Sequence, residues 1–190
     1  MAVLSQSPVD YVDMDYIPGE TILPGVCDVI YFISRGDIVK WPTRDVSKAK
    51  GRSTYQGDFQ LAEGKKWRIL RATYDGAEWS YEDQGVKPGK TTLNKLPVPY
   101  PKHSAEACDN ATAMQNDNVV CIFKDRQGNY RVMGADEMPG DVKVSGGSGK
   151  GIAGEGGMKL EISATDFGPC PIYTGKIDTE AGMVNAPEAA

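Results

Sequence analysis

The sequence predicts a mainly β fold, either a β-sandwich or a barrel, with one short flanking helix, long loops and an extended N-terminal arm. Most of the chain consists of short β-branched and aromatic runs separated by turn residues, which is typical of sandwiches and barrels. Only one stretch combines helical spacing with a capping residue. The 22 glycines and 12 prolines fall mostly between the runs. At 190 residues the chain is long enough for one domain with one core.

We divide the chain into three parts. Residues 1–25 contain three prolines and several aspartates among tyrosines, so we expect an extended arm rather than a helix. Residues 26–175 form the single β-domain. Residues 176–190, ending in "TEAGMVNAPEAA", are expected to be a flexible tail.

The first half of the β-domain contains several strand patterns. Val26–Ile33 ("VCDVIYFI") and Ile38–Trp41 ("IVKW") are separated by "SRGD", which predicts a hairpin. "STYQGDFQL" predicts a further strand. Lys66–Tyr74 ("KWRILRATY") alternates between two faces, and "EWSYE" alternates again after an Asp-Gly turn. We expect Gly85–Pro101 to be a long loop, because it carries glycines and prolines.

The helix is predicted just after this loop. Ser104 can cap its N-terminus, and Glu106 in the first turn is favoured by the helix dipole. Ala107, Ala111 and Met114 follow at helical spacing.

After the helix the pattern returns to strands. "VVCIF" (Val119–Phe123), the turn "KDRQGN" and "YRVMG" predict a hairpin. Val142–Val144 and Met158–Ala164 flank the glycine-rich stretch "SGGSGKGIAGEGG", and Cys170–Tyr173 is the last predicted strand. The three tryptophans lie on or beside predicted strands, so we expect them in the core rather than on a sugar-binding surface.

Two glycine-rich stretches raise the question of phosphate binding. A phosphate-binding loop has the pattern G-x-x-x-x-G-K-[ST] between a strand and a helix. In the first stretch Gly149-Lys150 is followed by glycine, so the hydroxyl is missing, and a strand follows. In the second, "GVKPGKTT", the first glycine is one residue too close, Pro88 removes an amide donor, and no helix follows. We therefore expect both to connect strands or to contact another subunit.

The residue types that carry catalysis are sparse. His103 is the single histidine and precedes the helix without a nucleophile motif, so we interpret it as a loop residue. Ser47-Lys48-Ala49-Lys50 matches S-x-x-K but lies in a lysine-rich context, which favours a solvated loop. Acids distant in sequence could still converge as a glycosidase pair, a possibility that the sequence leaves open. We predict no catalytic residue and no cofactor.

Metal ligands are not clustered in the sequence either. Four cysteines are widely spaced with no C-x-x-C, so we expect free, buried thiols rather than a zinc site or disulfides. Asp10, Asp13 and Asp15 lack the glycine and closing glutamate of a calcium loop, which favours a solvated acidic arm.

Charge and hydropathy limit the partners. A net charge of −5 argues against a surface that grips nucleic acid phosphates. We see neither a signal peptide nor an apolar run of about 20 residues that could span a membrane, so we expect no membrane partner and synthesis in the cytosol.

The C-terminal half carries a resemblance. A short helix leads to "VVCIFKDRQGNYRVMG", and a glycine-rich linker leads to "GMKLEISATDFGPCPIY". This order resembles structural proteins of tailed bacteriophages, especially tail tube proteins, over Lys66–Tyr173. Such proteins are small β-sandwiches or barrels with a flanking helix. They form rings, commonly hexameric, that stack into a channel, and loops and an N-terminal arm connect the rings.

The resemblance implies a non-enzymatic subunit of a phage tail, made in the cytoplasm of a host bacterium. Its partners would be sister copies, other tail proteins and phage DNA in transit, with the acidic balance easing the passage of DNA. The alternatives are another phage head or tail protein, a carbohydrate-binding β-sandwich and a hydrolase. The candidate assembly loop comprises Gly146, Gly147, Gly149, Lys150, Gly151, Gly154, Glu155, Gly156 and Gly157.

Overall fold

The computed structural model describes residues 11, 13–45, 51–150 and 156–185. These residues form fourteen strands and one α-helix, in two larger and two small sheets. The mainly β prediction with one short helix is confirmed, and no sheet in the described part closes into a barrel. The elements are β1 Val26–Ser34, β2 Ile38–Lys40, β3 Thr54–Tyr55, β4 Gln60–Leu61, β5 Arg68–Arg71, β6 Ser80–Gln84, β7 Thr91–Tyr100, α1 Ala105–Met114, β8 Val119–Asp125, β9 Tyr130–Met133, β10 Asp141–Gly147, β11 Gly157–Asp166, β12 Ile172–Tyr173, β13 Ile177–Thr179 and β14 Gly182–Val184.

A six-stranded sheet forms the middle layer, in the order β3-β12-β9-β8-β1-β5. Its central strand β8 is buried over five consecutive residues, so it has no polar face. Cys121 and Phe123 pack into one core, whereas Val120 and Ile122 pack into a second core on the opposite face. A sheet covered on both faces requires such continuous apolar strands.

The first core lies between this sheet and a four-stranded sheet with the order β10-β11-β7-β6. Strand β11 alternates between buried and half-buried or exposed residues along most of its length, so its inner face carries Leu160 and Ile162. Helix α1 contributes Ala111 and Met114 to the same core. This pairing of two sheets with one flanking helix gives the domain its sandwich architecture.

The second core lies on the opposite face and is rich in aromatic residues. Phe59 packs against Trp67 and Tyr173, with ring centroids 5.3 and 5.2 Å apart. The small sheets β2–β4 and β13–β14 lie on this side and contribute Ile38 and Ile177. Trp67 is 1% exposed, and the other two tryptophans pack against the cores, so the prediction of core tryptophans is confirmed.

The hairpin predicted between Val26–Ile33 and Ile38–Trp41 is wrong. The intervening Arg35–Asp37 forms a 3-10 turn, and β2 pairs with β4, where Ile38 lies opposite Leu61. Strand β1 pairs instead with β5 on one side and β8 on the other. Because both edges of β1 are occupied, the next strand must leave the sheet.

The long loop predicted over Gly85–Pro101 is also wrong, because residues 91–100 form the ten-residue strand β7. The carbonyls of Pro97 and Pro99 accept hydrogen bonds from Glu78 and Thr73, so both prolines direct their backbone away from β11. Their missing N–H groups therefore remove no bond from the β7–β11 ladder, which is the arrangement in which a sheet tolerates proline.

The prediction of a flexible tail from residue 176 is wrong for residues 176–185. β13 and β14 form a hairpin, and Ile177 is fully buried in the aromatic core. The backbone N–H of Trp67 also donates to the Asp178 carbonyl at 3.0 Å. A single well-placed apolar residue thus anchors a segment whose composition favours disorder. Residues 186–190 lie outside the described part.

The helix and the later hairpins are confirmed. Ser104 Oγ accepts from the N–H of Ala107 at 3.3 Å, as expected of a cap. β8 pairs with β9, and β10 pairs with β11. Residues 11 and 13–25 contain no strand or helix and are exposed, as expected of an extended arm, and the remaining arm residues are not described.

Candidate functional site

The glycine-rich stretch connects the two strands of a hairpin. β10 and β11 pair in register from Asp141 opposite Ser163 to Gly147 opposite Gly157. A strand therefore follows the stretch, as the sequence predicts, and not the helix of a phosphate-binding loop. Six assembly-loop candidates are described: Gly146, Gly147, Gly149, Lys150, Gly156 and Gly157. The other three, Gly151, Gly154 and Glu155, lie outside the described residues.

The base of this hairpin requires glycine because three backbone segments meet there. At Gly157, φ is +133°, and a Cβ would lie 2.7 Å from the Tyr100 carbonyl oxygen. At Gly146 a Cβ would lie 2.6 Å from the Gly157 carbonyl oxygen. Gly147, by contrast, faces open space. The glycines at the base are therefore explained by close packing, without a ligand.

His103 contacts the same hairpin. Its Nε2 lies 3.2 Å from the carbonyl oxygen of Gly147, to which it can donate a hydrogen bond. The residue is exposed and immediately precedes the Ser104 cap, so the prediction of a loop histidine is confirmed. This contact is with the backbone, and no described hydrogen bond joins His103 to a nucleophilic side chain.

The second glycine-rich stretch forms the turn between β6 and β7. Gly85 has a positive φ of 81°, and the N–H of Gly89 donates to the Val86 carbonyl at 2.8 Å. Lys90 Nζ lies 4.0 Å from a carboxylate oxygen of Asp83, within the same hairpin. Both glycine-rich stretches thus join antiparallel strands, as the sequence analysis expected.

The four-stranded sheet has two open edges, β10 and β6. The carbonyls of Pro97 and Pro99 point towards the β6 side. From this starting point the strand register fixes, for all remaining residues of the sheet, the side towards which their backbone N–H and C=O groups point. Alternation then directs the N–H and C=O groups of Val142 and Val144 outward on β10, and those of Tyr81 outward on β6. No described backbone group pairs with them.

The outer face of this sheet is polar and balanced in charge. Lys95 Nζ lies 2.6 Å from Glu82 Oε1, and this hydrogen bond raises the pKa of Lys95. Neighbouring strands add further lysines and carboxylates to the same face. Its charged side chains are Lys95, Lys143, Lys159, Glu82, Asp141 and Glu161.

A groove of about 310 Å³ opens between the edge strand β5 and helix α1. Its lining is mainly apolar and includes Leu70, Tyr100 and Met114. Two exposed charged residues also line it, Arg71 on β5 and Glu106 on α1. No local sequence pattern predicts this groove, because its walls come from elements distant in the chain.

The N-terminal arm exposes large apolar side chains. None of its described residues is buried. Met14 is 94% exposed and Tyr16 is 77% exposed, although both are large enough to stabilise a core. Tyr11, Ile17, Ile22 and Leu23 are also more than half exposed. Such a concentration of apolar surface is typical of a segment that binds a partner.

Two buried carboxylates were not predicted as a feature. Asp166 accepts two hydrogen bonds from the Arg44 guanidinium, at 2.8 and 2.9 Å, and Asp125 accepts one from Arg131 at 2.7 Å. Burial lowers the pKa of Arg44, but its hydrogen bonds and charge interaction with Asp166 raise it above the usual value. Each carboxylate is therefore neutralised by its own arginine, which is typical of structural ion pairs.

The other candidate ligands are dispersed. All four cysteines are free thiols, as expected. Cys121 and Cys170 are buried, whereas Cys27 is half-buried and Cys108 on α1 is exposed, so the expectation of buried thiols is confirmed for only two of the four. Burial raises the pKa of Cys121 to about 12. Within the described ranges no group of three His, Cys, Asp or Glu residues could hold a metal ion. Asp10 and Ser47 to Lys50 are not described.

Comparison with protein families, with curated proteins and with solved structures gives no match. In the described part of the chain, no helix is both long and apolar enough to cross a membrane.

Proposed function

We propose that this chain is a non-enzymatic structural protein of a tailed bacteriophage, the tail tube subunit that assembles into stacked rings around a DNA-conducting channel. The proposal starts from the sequence resemblance. The observation that carries it furthest is the four-stranded sheet, which ends in an open edge on each side, at β6 and at β10. Unpaired edges of this kind are sites where another chain can add a strand.

Ring formation would proceed by pairing β6 of one copy with β10 of the next. The two edges differ, so the contact is head-to-tail, and a rotation that closes generates a ring. On the outer face β6 carries Glu82 and β10 carries Lys143, so these opposite charges would lie on the same side of the new ladder, where β10 also carries Asp141. In a closed ring every outward N–H and C=O group of Val144 and Tyr81 would have a partner, which ends growth within the ring.

The glycine-rich hairpin would supply contacts between copies beyond the ladder. Its strands are paired within the sheet as far as Gly147 and Gly157, so both ends of the connection are held by the ladder. A short, glycine-rich connection can adapt its backbone to a neighbouring surface at little steric cost.

Passage of DNA would depend on weak attraction by the channel wall. We assign the outer face of the four-stranded sheet to the wall, since ring closure makes that sheet continuous. Three lysines and three carboxylates balance on this face, and Lys95 is engaged by Glu82. Without excess positive charge the wall would hold few phosphates, and DNA could slide. On this assignment the wall is neutral, whereas the resemblance implies that the acidic balance of the whole chain eases the passage of DNA.

The test compares proline with alanine at the two open edges. Asp83→Pro removes an outward N–H of β6 together with the carboxylate, whereas Asp83→Ala removes only the carboxylate. Val144→Pro and Val144→Ala make the same comparison on β10. Since none of these residues donates its N–H within the sheet, we expect all four variants to fold, as judged by circular dichroism.

Purified wild-type chain should form rings or tubes in negative-stain electron micrographs and large species in sedimentation velocity. The alanine variants should assemble, and the proline variants should remain small. A wild-type chain that stays monomeric at every concentration would refute the proposal. Assembly of both proline variants to the level of their alanine controls would refute the edge-pairing mechanism.

A further inference from the structure

We infer that the groove between β5 and α1 binds an extended, three-residue peptide segment of a partner protein, with an acidic residue first, a large aliphatic residue second and a β-branched residue third. The segment would pair with the open part of the β5 edge and place its middle side chain in the groove. The inference goes beyond the proposed function, which assigns no ligand to this groove.

The edge of β5 has unpaired backbone groups at two positions. The N–H of Ala72 donates to the Asp28 carbonyl at 2.7 Å, towards β1, so alternation directs the N–H and C=O groups of Ile69 and Arg71 to the opposite, outer side. No described backbone group pairs with these two residues there. Two donors and two acceptors are therefore available, in the pattern that another extended backbone complements.

Backbone hydrogen bonds limit the open part of this edge at both ends. The N–H of Trp67 donates to the Asp178 carbonyl at 3.0 Å, and the N–H of Thr73 donates to the Pro99 carbonyl at 2.9 Å. A longer added strand would have to break these bonds, whereas a segment of three residues fits between them. In the antiparallel direction its first and third residues would use all four open groups.

The groove lies directly beside the open part of the edge. Ile69 lines it, although its side chain packs against the aromatic core on the other face of the sheet, so the groove reaches the backbone of β5. Its volume of about 310 Å³ is at the small end of the range of ligand pockets, about 300–1,000 Å³. The space therefore suits a short segment with one inserted side chain.

The groove determines the middle residue of the segment, which would lie opposite Leu70. Residues opposite each other in adjacent strands share a face, and Leu70 packs against the first core and lines the groove. Tyr100, Met114 and Met158 add to this apolar lining. A large aliphatic side chain would remove that surface from water, whereas an acidic one would meet Glu106, which lines the same groove.

The other face of β5 determines the first and third residues. A segment antiparallel to β5 places its first residue opposite Arg71 and its third opposite Ile69. Arg71 is exposed and forms no ion pair with any residue that the structure describes. An acidic first residue would give Arg71 a cross-strand partner, and a β-branched third residue would pack beside Ile69.

The test uses the full chain and a blocked tripeptide probe, acetyl-glutamyl-photoleucyl-valine methylamide, whose middle residue carries a photoreactive diazirine. After irradiation, the cross-linked peptides of the protein are identified by mass spectrometry. We expect cross-links to peptides that contain Met114 or Met158, which line the groove. The measurement does not require rings or tubes, so its result is independent of the proposed function.

A modified probe tests the backbone hydrogen bonds. N-methylation of the first and third probe residues removes both of their N–H groups and keeps every side chain. Because two hydrogen bonds are lost, the yield of groove cross-links should fall roughly tenfold. This comparison uses only the wild-type chain, so it does not depend on the folding of a variant.

Charge exchange tests the assigned direction of the segment. A probe with lysine in place of glutamate should give a several-fold lower yield, and Arg71→Glu should restore the yield for that probe. Lys40→Glu is the matched control, because it makes the same charge change at an exposed position of β2 that does not line the groove. It should leave the yields of both probes unchanged.

Three results would overturn the inference. Cross-links elsewhere on the surface, or none at all, would show that the groove is not the site. Equal groove yields for the N-methylated and the parent probes would show that the groove is an apolar cavity without strand pairing. Yields that charge exchange at Arg71 does not change would refute the assigned direction and the preference for an acidic first residue.

Discussion

Replacing Asp166 by Asn tests how much the buried ion pair with Arg44 stabilises the fold. The side chains of Arg44 and Asp166 are 5% and 6% exposed, and the N–H of Phe167 also donates to Asp166 Oδ1 at 2.6 Å. Asparagine keeps the shape and one acceptor oxygen but leaves the guanidinium buried without a counter-charge. Breaking a buried pair in this way costs about 3–5 kcal/mol.

The loss should be visible in thermal and urea unfolding. For a chain of this size about 2–4 °C of melting temperature is lost per kcal/mol, so we expect the midpoint to fall by roughly 6–20 °C. Glu180→Gln is the control, because it removes the same charge from an ion pair with Arg68 in which both side chains are more than 60% exposed. The control should cost less than about 1 kcal/mol.

A double-mutant cycle completes the experiment. Arg44→Met combined with Asp166→Asn removes the unpaired charge, so the double variant should lose less than the sum of the single losses. If Asp166→Asn costs no more than Glu180→Gln, burial of this pair does not control its energy, and the reasoning fails.

Two further predictions concern the buried thiols and the hairpin base. Burial raises the pKa of Cys121 from 9.0 to about 12, so between these pH values the folded state holds a proton that the unfolded state releases. The free energy of unfolding therefore keeps this contribution in full below pH 9 and loses it between pH 9 and 12, by about 1.4 kcal/mol per pH unit. Urea unfolding at pH 8–10.5 should show this slope, and Cys121→Val should make it shallower; parallel slopes would contradict the assignment. Gly157→Ala should cost about 1–3 kcal/mol, because φ is +133° and the Cβ would meet the Tyr100 carbonyl. Gly147→Ala, which faces open space, should be nearly neutral in the same unfolding assay, and equal losses at the two positions would exclude strain as the cause.

The candidate assembly surfaces were only partly predictable. The glycine-rich hairpin could be read directly, because a local pattern of strand, turn residues and strand specifies it. The open edges at β6 and β10 could not, since whether a strand lies at an edge depends on which other strands occupy its neighbours. The groove beside α1 combines residues from five elements, and no local signal indicates it.

The wrong predictions of the fold likewise concern contacts between distant segments rather than local patterns. "VCDVIYFI" is correctly predicted to be a strand, but its partner strands are not predicted. They are β8 and β5, which pair with its two edges and lie about 90 and 40 residues away in the chain. β7 was missed because Pro97 and Pro99 argue against a strand unless one knows that their missing N–H groups face away from β11. Burial of Ile177 likewise depends on the aromatic core that Phe59 and Trp67 build.

The sequence by itself determined the fold class, the one helix with its Ser104 cap, and the hairpins from β8 to β9 and from β10 to β11. These features depend on side-chain period, capping and turn chemistry, which act over a few residues. Only the tertiary structure decided the three-layer arrangement, the pairing of Arg44 with Asp166, and which edges remain open. Those depend on contacts between segments far apart in the chain, whose free energy is gained only when the whole domain packs.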